Sequence, residues 1–426
     1  MKQATTATGP VADGEAPRMS SDGTDVAVVG GGLVGLATAY RLLEAEPGLD
    51  VTVLEAADRV GAGQSGRNSG VIHAGVYYTP GSAKARLTAR GRAQLLALCA
   101  EEHIEVATTG KLVVAVDDAE LPGLRALEER ARSNGVTTRW LGAEEIARVE
   151  PAATGVAALH VPSTAVVDFT HVSAALARRV ATAGGRIRLH SPVTDLHEDD
   201  HHVDLTIGGS EHLRAATVVA CAGLQADRLA ALQDEDVLGD LRIVAFRGSW
   251  LKLRPDRAHL VNGSIYPVPA PGLPFLGVHV TRRVDGEVLI GPNAVLAGAR
   301  EGETPGSISL RDLRDVASFP GTWRLARRHL GVGVGELWRD RVVAAMVREV
   351  RRYVPAITRT DVARGPWGVR AQAVRRDGSL VDDFVLRRIG RVVHVLNAPS
   401  PAATASLAIG EELRDQVLPL LHGADG

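Results

Sequence analysis

The hydrophobic pattern near the amino terminus predicts a β-strand, a helix and a second β-strand in immediate succession. An apolar run, VAVV, begins at Val26 and leads into Gly30, Gly32 and Gly35, after which leucines and alanines recur at helical spacing. A second apolar run, VTVLEA, carries Glu55 at its end, about 20 residues further on. This order is the dinucleotide-binding βαβ fingerprint, in which glycines bring the backbone close to a pyrophosphate at the positive end of the helix. The terminal acid is placed to accept hydrogen bonds from ribose hydroxyls.

The remaining pattern predicts a mixture of helices and strands. The predicted helices span residues 82–103, 118–134, 143–149 and 171–183, with a largely helical stretch over 309–353 and a last helix from Ala402. Either Asp168 or Thr170 is expected to cap the fourth of these. The predicted strands span residues 111–116, 186–196, 203–207, 216–220 and 392–396, and residues 246–291 are mostly strand.

The chain returns to apolar strands at 216–220 and 392–396 after long excursions, which predicts an α/β nucleotide-binding domain interrupted by insertions. We assign residues 25–110, 165–240 and 360–426 to this discontinuous domain. Residues 111–164 and 241–359 are assigned to an α+β substrate domain with a mostly antiparallel sheet. Residues 1–24 are polar, rich in small residues and without the apolar core of a signal peptide, so we expect a disordered tail. Met19 is an alternative start to Met1.

Composition limits the possible partners. With 426 residues the chain is long enough for two domains, and a formal net charge of −2 disfavours nucleic acid as a partner. Its two cysteines, Cys99 and Cys221, form neither a disulfide framework nor a metal-ligand spacing, which predicts no metal and a reducing cytoplasm. No apolar run reaches the ~18 residues of a transmembrane segment, so any membrane contact is expected to be peripheral, on the inner face.

Four longer segments carry a specific resemblance. SGRNSGVIHAGVYYTPGSAKA (65–85), PFLGVHVTRRVDGEVLIGPNAVLA (274–297), GPWGVRAQAVRRDGSLVDDF (365–384) and NAPSPAATASLAIG (397–410) closely resemble L-2-hydroxyglutarate oxidases and dehydrogenases. These enzymes belong to the FAD-dependent D-amino-acid-oxidase-like superfamily, and the likeness runs from Asp25 onward. It implies a Rossmann-like FAD-binding domain and oxidation of L-2-hydroxyglutarate to 2-oxoglutarate, with a hydride passing to flavin N5.

The resemblance also implies which residues hold FAD. Asn68, Ser69 and Gly70 would lie beside the flavin ring, and the backbone of Val193 would meet the adenine. The full set of implied cofactor-binding residues is Gly30, Gly32, Leu33, Val34, Gly35, Glu55, Arg67, Asn68, Ser69, Gly70, Val193, Ala222, Gly223, Pro401, Ala402, Ala403 and Thr404. Of these, Ala222 and Gly223 would approach the pyrophosphate, and the four from Pro401 onward would meet the pyrimidine end of the flavin.

A 2-hydroxy dicarboxylate requires two carboxylate anchors and a base for its hydroxyl proton. Arginine binds carboxylates through a planar fork, and Arg247, Arg282 and Arg370 lie in apolar or glycine-lined contexts within or near the matching segments. Histidine, with a reference pKa of about 6.5, is the natural base near neutrality. His73 and His279 are the candidates, because they lie on apolar stretches rather than in polar loops.

Two departures from the family pattern keep an alternative open. Arg67 stands where many members are expected to carry histidine, and residues 299–303 read AREGE where KREGY is usual. The alternative is an FAD-dependent oxidase of a related 2-hydroxy acid or amino acid, in specialised metabolism. A non-catalytic flavin-binding module is disfavoured because His73 and the arginines are present. The sequence leaves open the electron acceptor (oxygen or quinone), the oligomeric state and covalent attachment of FAD.

Overall fold

The computed structural model of the chain describes residues 23–269, 277–302 and 304–423. Within these ranges the helices are α1 (Leu33–Ala45), α2 (Ala83–Glu101), α3 (Leu121–Ser133), α4 (Ala143–Val149), α5 (Phe169–Thr182), α6 (Ala226–Gln233), α7 (Leu310–Ser318), α8 (Pro320–Arg328), α9 (Leu330–Arg341), α10 (Val343–Val350) and α11 (Ala402–Leu421). The strands are β1 (Gly23–Val29), β2 (Val51–Leu54), β3 (Val71–Ile72), β4 (Val106–Ala107), β5 (Lys111–Ala115), β6 (Arg139–Gly142), β7 (Ala157–Val161), β8 (Ala165–Val167), β9 (Arg186–Arg188), β10 (Val193–Glu198), β11 (Val203–Ile207), β12 (Glu211–Ala220), β13 (Leu241–Leu253), β14 (Ser264–Pro267), β15 (His279–Arg282), β16 (Val288–Gly291), β17 (Val295–Leu296), β18 (Val362–Arg375), β19 (Val385–Ile389) and β20 (Val392–Asn397).

The first sheet is a Rossmann-like parallel core with antiparallel additions. Its parallel strands follow the order β9-β2-β1-β12-β20, and β10, β11 and β19 pair antiparallel at its margins. Alternate residues of β1 separate its two faces, as strand geometry requires. Val26 and Val28 pack against α1, α5 and α11, whereas Ala27 and Val29 pack toward the β10–β12 meander. The predicted βαβ unit and the interrupted α/β architecture are confirmed.

The second sheet holds nine strands in the order β17-β13-β16-β15-β14-β5-β7-β6, with β18 paired to β13. All of its pairs are antiparallel except β14 with β5, which confirms a mostly antiparallel sheet. Because β18 pairs with β13 along most of its length, it belongs to this sheet. The predicted division placed that strand, within residues 360–426, in the nucleotide-binding domain instead. A third sheet, β3-β8-β4, is small.

Three local predictions were wrong. The single strand over residues 186–196 is two strands, β9 and β10, because β9 pairs with β2 and the chain then turns through His190, at a φ of 51°. The helix over 118–134 begins as a 3₁₀ turn, Asp118–Glu120, before α3. Residues 23 and 24, assigned to the tail, are part of β1, and residues 1–22 lie outside the described residues.

Other sequence signals are confirmed. Asp168 is the cap of α5, and its side chain accepts a hydrogen bond from the backbone N–H of Thr170. The largely helical stretch predicted over 309–353 comprises the four helices α7 to α10. No helix among the described residues combines the length and the hydropathy needed to cross a membrane.

Helix α11 is held against α1 by a close backbone approach at Gly410. A Cβ placed on Gly410 would lie 2.8 Å from the carbonyl carbon of Ala37 and 3.0 Å from the backbone nitrogen of Thr38. A rigid backbone cannot move away as a flexible side chain can. The small residue at 410 therefore fixes how closely α11 packs on the nucleotide-binding unit.

We expect Gly410→Val to destabilise the protein by about 1–3 kcal/mol, because the added methyls meet the backbone of α1. A lower melting temperature in calorimetry would report this. Gly333→Val is the matched control, since nothing lies within 4 Å of a Cβ at that helical position. Equal melting temperatures for the two variants would contradict the close approach.

Candidate active site

A backbone cradle precedes α1. Gly30 has a φ of 112°, and a Cβ on it would collide with the carbonyl oxygen of Cys221; a Cβ on Gly35 would collide with the carbonyl oxygen of Gly30. Leu33 begins the helix, and its N–H donates to Ser65 Oγ over 2.9 Å. The cradle therefore has the bare backbone and the helix amino terminus that a pyrophosphate requires, and it fits the phosphates of a dinucleotide. Ser65 was missed by the sequence analysis.

Glu55 is fixed at the end of β2. Its Oε2 accepts a hydrogen bond from the Gly31 N–H and its Oε1 accepts one from the Ala57 N–H, both over 2.8 Å. Each carboxylate oxygen retains lone-pair capacity for a hydroxyl donor. The side chain is thus held where the fingerprint predicts a ribose contact.

The loop 64–70 is braced from within. Asn68 Nδ2 donates to the carbonyl oxygen of Ser65 over 2.7 Å, and Asn68 Oδ1 accepts from the Gly70 N–H over 2.9 Å. Gln64 Oε1 accepts from the N–H of Ala371, so the loop is tied to β18 in the second sheet. Asn68 therefore shapes the loop in which it was predicted to meet the flavin, and Ser69 lies partly buried beside it.

The remaining predicted cofactor residues lie on several different elements. Val34 follows Leu33 in α1, and Val193 and Ala222 pack against the core on the meander side of the sheet. Gly223 has a φ of 53° and faces Gln64. Arg67 is exposed, with its guanidinium 5.2 Å from the ring centroid of Trp367.

The amino terminus of α11 contacts the loop that carries His73. Pro401 precedes this helix, and Ala402 and Ala403 form its first turn. Thr404 is buried, and its Oγ1 accepts a hydrogen bond from the backbone N–H of His73 over 3.1 Å. His73 is therefore held beside the positive end of a helix.

His73 lies near a cationic and aromatic cluster on the second sheet. The rings of Tyr266 and His279 stack with their centroids 3.9 Å apart, and Lys111 Nζ lies 4.3 Å from the Tyr266 centroid. The same ammonium lies 5.3 Å from the ring centroid of Tyr77. Neighbouring strands β5, β14 and β15 supply Lys111, Tyr266 and His279. We call His73, Lys111, Tyr266 and His279 the cationic pocket.

Lys111 was missed by the sequence analysis. It opens the apolar strand KLVVA, and a lysine at a strand end is most often solvated. The pairing of β5 with β14 and β7 instead buries it, at 3% exposed. Local sequence carries no signal for this burial, since the covering strands come from distant parts of the chain.

Burial sets the protonation states in the cationic pocket. Desolvation lowers the pKa of Lys111 to about 7. Desolvation, together with the charge of Lys111, holds the pKa of His73 well below its usual value. The pKa of His279 is lowered to about 3, chiefly by desolvation and further by the charges of Lys111 and Arg370, against a hydrogen bond to Gly277. Both imidazoles are therefore neutral at pH 7, and the same lowered pKa values make them weaker bases than a solvated histidine while no anion is bound beside them.

The tautomer of His279 follows from its hydrogen bond. His279 Nδ1 lies 2.9 Å from the carbonyl oxygen of Gly277, which can only accept. The proton therefore sits on Nδ1, and Nε2 is left as an acceptor.

The three predicted arginines do not converge. Cross-strand pairing matches Phe246 with Arg370 and Arg247 with Val369, so Arg247 and Arg370 project from opposite faces of the β13–β18 pair. Arg370 is close enough to lower the pKa of His279, and burial lowers its own pKa to about 10. Arg247 instead forms a salt bridge with Asp340, Nη2 to Oδ2 2.6 Å.

Arg282 lies away from the cationic pocket. It is three residues after His279 on β15, so the two side chains leave opposite faces of the strand. Arg282 Nη1 donates to the carbonyl oxygens of Ala258 and Val261 over 3.2 and 3.0 Å. These contacts support the 258–261 turn.

Residues 300 and 301, in the segment that departs from the family pattern, are held by side chains at the start of α6. Arg300 is buried and forms a salt bridge with Asp227, in which Nη2 donates to Oδ2 over 2.9 Å. Gln225 Nε2 donates to Glu301 over 2.9 Å. Ala299 lines a small cavity with Arg247 and Trp367, outside the cationic pocket, and residue 303 lies outside the described residues.

Metal chemistry finds no support in the part of the chain that is described. No cluster of three or more His, Cys, Asp or Glu side chains there could hold a metal ion.

Comparison with known proteins places the chain in a family. Residues 25–416 match the model for FAD dependent oxidoreductases (DAO). The mitochondrial L-2-hydroxyglutarate dehydrogenases of Nematostella vectensis and Homo sapiens are 45% and 41% identical, each alignment covering 93% of this chain and 91% and 89% of theirs. The L-2-hydroxyglutarate dehydrogenase of Escherichia coli K12 is 39% identical, over 93% of this chain and 94% of its own.

Solved structures share the fold at lower identity. L-α-glycerophosphate oxidase from Mycoplasma pneumoniae, solved with FAD bound, has a TM-score of 0.71 at 22% identity, covering 94% of each chain. Glycine oxidase from Geobacillus kaustophilus has a TM-score of 0.69 at 20% identity, covering 93% of this chain and 95% of its own. The chain therefore belongs to the FAD-dependent oxidoreductase family, whose cofactor is FAD, and within it to the group that contains the L-2-hydroxyglutarate dehydrogenases.

Proposed function

We propose that this protein oxidises L-2-hydroxyglutarate to 2-oxoglutarate, with FAD as the hydride acceptor. The names of relatives at 39–45% identity over most of the chain support the substrate. The structural observation that carries the proposal is Lys111, a buried ammonium beside two neutral imidazoles, His73 and His279. This arrangement offers a cation for a carboxylate and bases for a hydroxyl proton.

Lys111 and Arg370 are the proposed carboxylate anchors. Lys111 forms no salt bridge with any described residue, and its ammonium contacts aromatic rings instead. A buried charge without a counter-charge is costly, so a substrate carboxylate at this position gains from restoring the pairing. Arg370 is the second cation whose field reaches His279. Two separated cations suit a substrate with two carboxylates.

His73 is the proposed base. Its backbone is fixed by Thr404 at the amino terminus of α11, where the resemblance predicts the pyrimidine end of the flavin. The neutral imidazole accepts the hydroxyl proton of the substrate, and Nε2 of His279 is the alternative acceptor for that single proton. Substrate carboxylates offset the charge of Lys111, which raises the pKa of His73 in the complex and makes proton acceptance more favourable.

FAD, when bound in the cradle before α1, supplies the site for the hydride that leaves the carbinol carbon. In this proposal the side chains of the protein do the remaining work. Lys111 and Arg370 hold the two carboxylates, and His73 receives the hydroxyl proton, all in desolvated surroundings. Desolvation strengthens each of these electrostatic contacts.

Anaerobic mixing of the FAD-loaded protein with L-2-hydroxyglutarate tests the proposed function. We expect rapid bleaching of the visible flavin band, with the D-enantiomer inert. Admitting air or a water-soluble quinone to the bleached sample then identifies the electron acceptor by recovery of the band. Persistent yellow colour with both enantiomers would contradict the proposed substrate.

His73→Ala is expected to slow anaerobic bleaching by ~10²–10⁴-fold, the usual contribution of a general base. FAD content should remain normal, because the contact with Thr404 uses the backbone of residue 73. Stopped-flow absorbance measures the rate and the ratio of visible to ultraviolet absorbance measures FAD. A rate equal to that of the unmodified protein would remove His73 from the mechanism.

The pH dependence of kcat/KM tests Lys111. Its pKa of about 7 in the free protein means that the binding cation is present at lower pH and is lost as pH rises through 7, so kcat/KM should fall on the alkaline side. Lys111→Met should lower kcat/KM by roughly 10–100-fold and abolish this alkaline limb. Lys252→Met, which removes a lysine that pairs with Glu287 elsewhere, is the control and should keep the limb. An unchanged limb in Lys111→Met would refute the assignment.

A further inference from the structure

Helix α9 presents its apolar side chains to solvent. None of its residues is buried, and Leu330, Val334, Leu337 and Trp338 are 67, 60, 45 and 60% exposed. Their spacing of four, three and one residues places them on one face of the helix. A surface helix of a water-soluble domain normally turns this face inward. The apolar face of α9 is therefore directed away from the protein.

Polar side chains of α9, rather than its apolar ones, attach the helix to the rest of the protein. Asp340 accepts hydrogen bonds from Arg247 and from Asn293 Nδ2, the latter over 3.0 Å. Glu336 Oε2 accepts from the backbone N–H of Ala294 over 2.8 Å. Because these contacts fix the helix through residues 336 and 340, its apolar face cannot rotate inward without breaking them.

The apolar surface extends over the two preceding helices. Eight of the twelve most exposed large apolar side chains among the described residues lie between residues 308 and 338. The four on α9 are joined there by Ile308, Leu310, Leu313 and Trp323, and we call these eight the apolar face. Helix α8 contacts both α7 and α9, so these side chains lie on neighbouring helices. Large exposed apolar patches mark interaction sites.

The charge around the apolar face is positive. Arg311, Arg314, Arg324, Arg327, Arg328 and Arg341 are exposed, and none of them forms a salt bridge with a described residue. Two acidic residues of the same stretch, Asp312 and Asp315, form salt bridges with Arg228, so they do not neutralise these arginines. A second copy of the chain would bring arginines against arginines, which is unfavourable.

We infer that the apolar face and its arginines form a docking surface for a membrane that carries anionic phospholipids. Exposed tryptophan and leucine flanked by arginine is the composition that binds the interface of a bilayer. Anionic headgroups supply the negative charge that the arginines lack within the protein. This attachment is peripheral and independent of the substrate assigned to the cationic pocket.

Vesicle co-sedimentation of the FAD-loaded full chain tests the docking surface. We expect binding to vesicles of phosphatidylcholine with phosphatidylglycerol, weaker binding to phosphatidylcholine alone, and loss of binding at high salt. The triple variant Leu330→Ser, Leu337→Ser, Trp338→Ser should lose at least tenfold in vesicle affinity. Each of Arg311→Gln and Arg328→Gln should lose roughly fivefold, about 1 kcal/mol per arginine.

Leu189→Ser with Leu232→Ser is the matched control, because both leucines are exposed outside the apolar face. The control should bind vesicles like the unmodified protein. An unchanged melting temperature in the triple variant separates loss of docking from loss of folding. Equal binding by the triple variant and the control would overturn the inference. So would a concentration-dependent dimer in analytical ultracentrifugation that the triple variant abolishes, since a second copy would then cover this face.

Discussion

The proposed active site depends on a positive charge held out of water, with no carboxylate paired to it among the residues that the structure describes. Lys111 is enclosed by the second sheet and contacts Tyr77 and Tyr266, and the desolvation of its ammonium lowers its pKa to about 7. The same low-polarity surroundings keep His73 and His279 neutral. Removing water thus strengthens the attraction of Lys111 for a substrate carboxylate and keeps the imidazoles neutral. In the proposed mechanism, the bound carboxylate offsets the charge of Lys111 and so partly restores the basicity of His73.

Direct hydrogen bonds connect the elements around the cofactor cradle with the second sheet and with His73. Gln64 ties the loop 64–70 to Ala371 on β18, and the N–H of His73 donates to Thr404 at the start of α11. The close approach of α11 to α1 at Gly410 fixes that helix on the nucleotide-binding unit. In the proposed mechanism these contacts would give a substrate held by Lys111 a defined position relative to the cradle before α1.

The glycine-rich cradle before α1 and much of the fold could be predicted from local sequence. The glycines from Gly30 to Gly35 and the acid Glu55 follow the spacing of a known fingerprint, and the cap Asp168 bonds its near neighbour Thr170, so their places in the fold could be predicted from the sequence. His73 was a candidate base because it lies on an apolar stretch beside the predicted flavin loop and because of the family resemblance.

The rest depends on contacts between distant strands. The burial of Lys111 arises where β5 meets β14 and β7, and the divergence of Arg247 and Arg370 follows from the register of β13 with β18. Arg282 looked equivalent to the other arginines in sequence, yet its strand position turns it away from His279. The split of residues 186–196 into β9 and β10 has the same origin, since pairing with β2 decides where β9 ends.

A crystal structure of the FAD-loaded protein with 2-oxoglutarate would show whether Lys111 binds a ligand carboxylate. We expect one carboxylate within hydrogen-bonding distance of Lys111 Nζ, the other carboxylate on Arg370, and the keto oxygen facing His73. A ligand bound instead at the small cavity lined by Arg247 and Trp367, with Lys111 still contacting only aromatic rings, would contradict it.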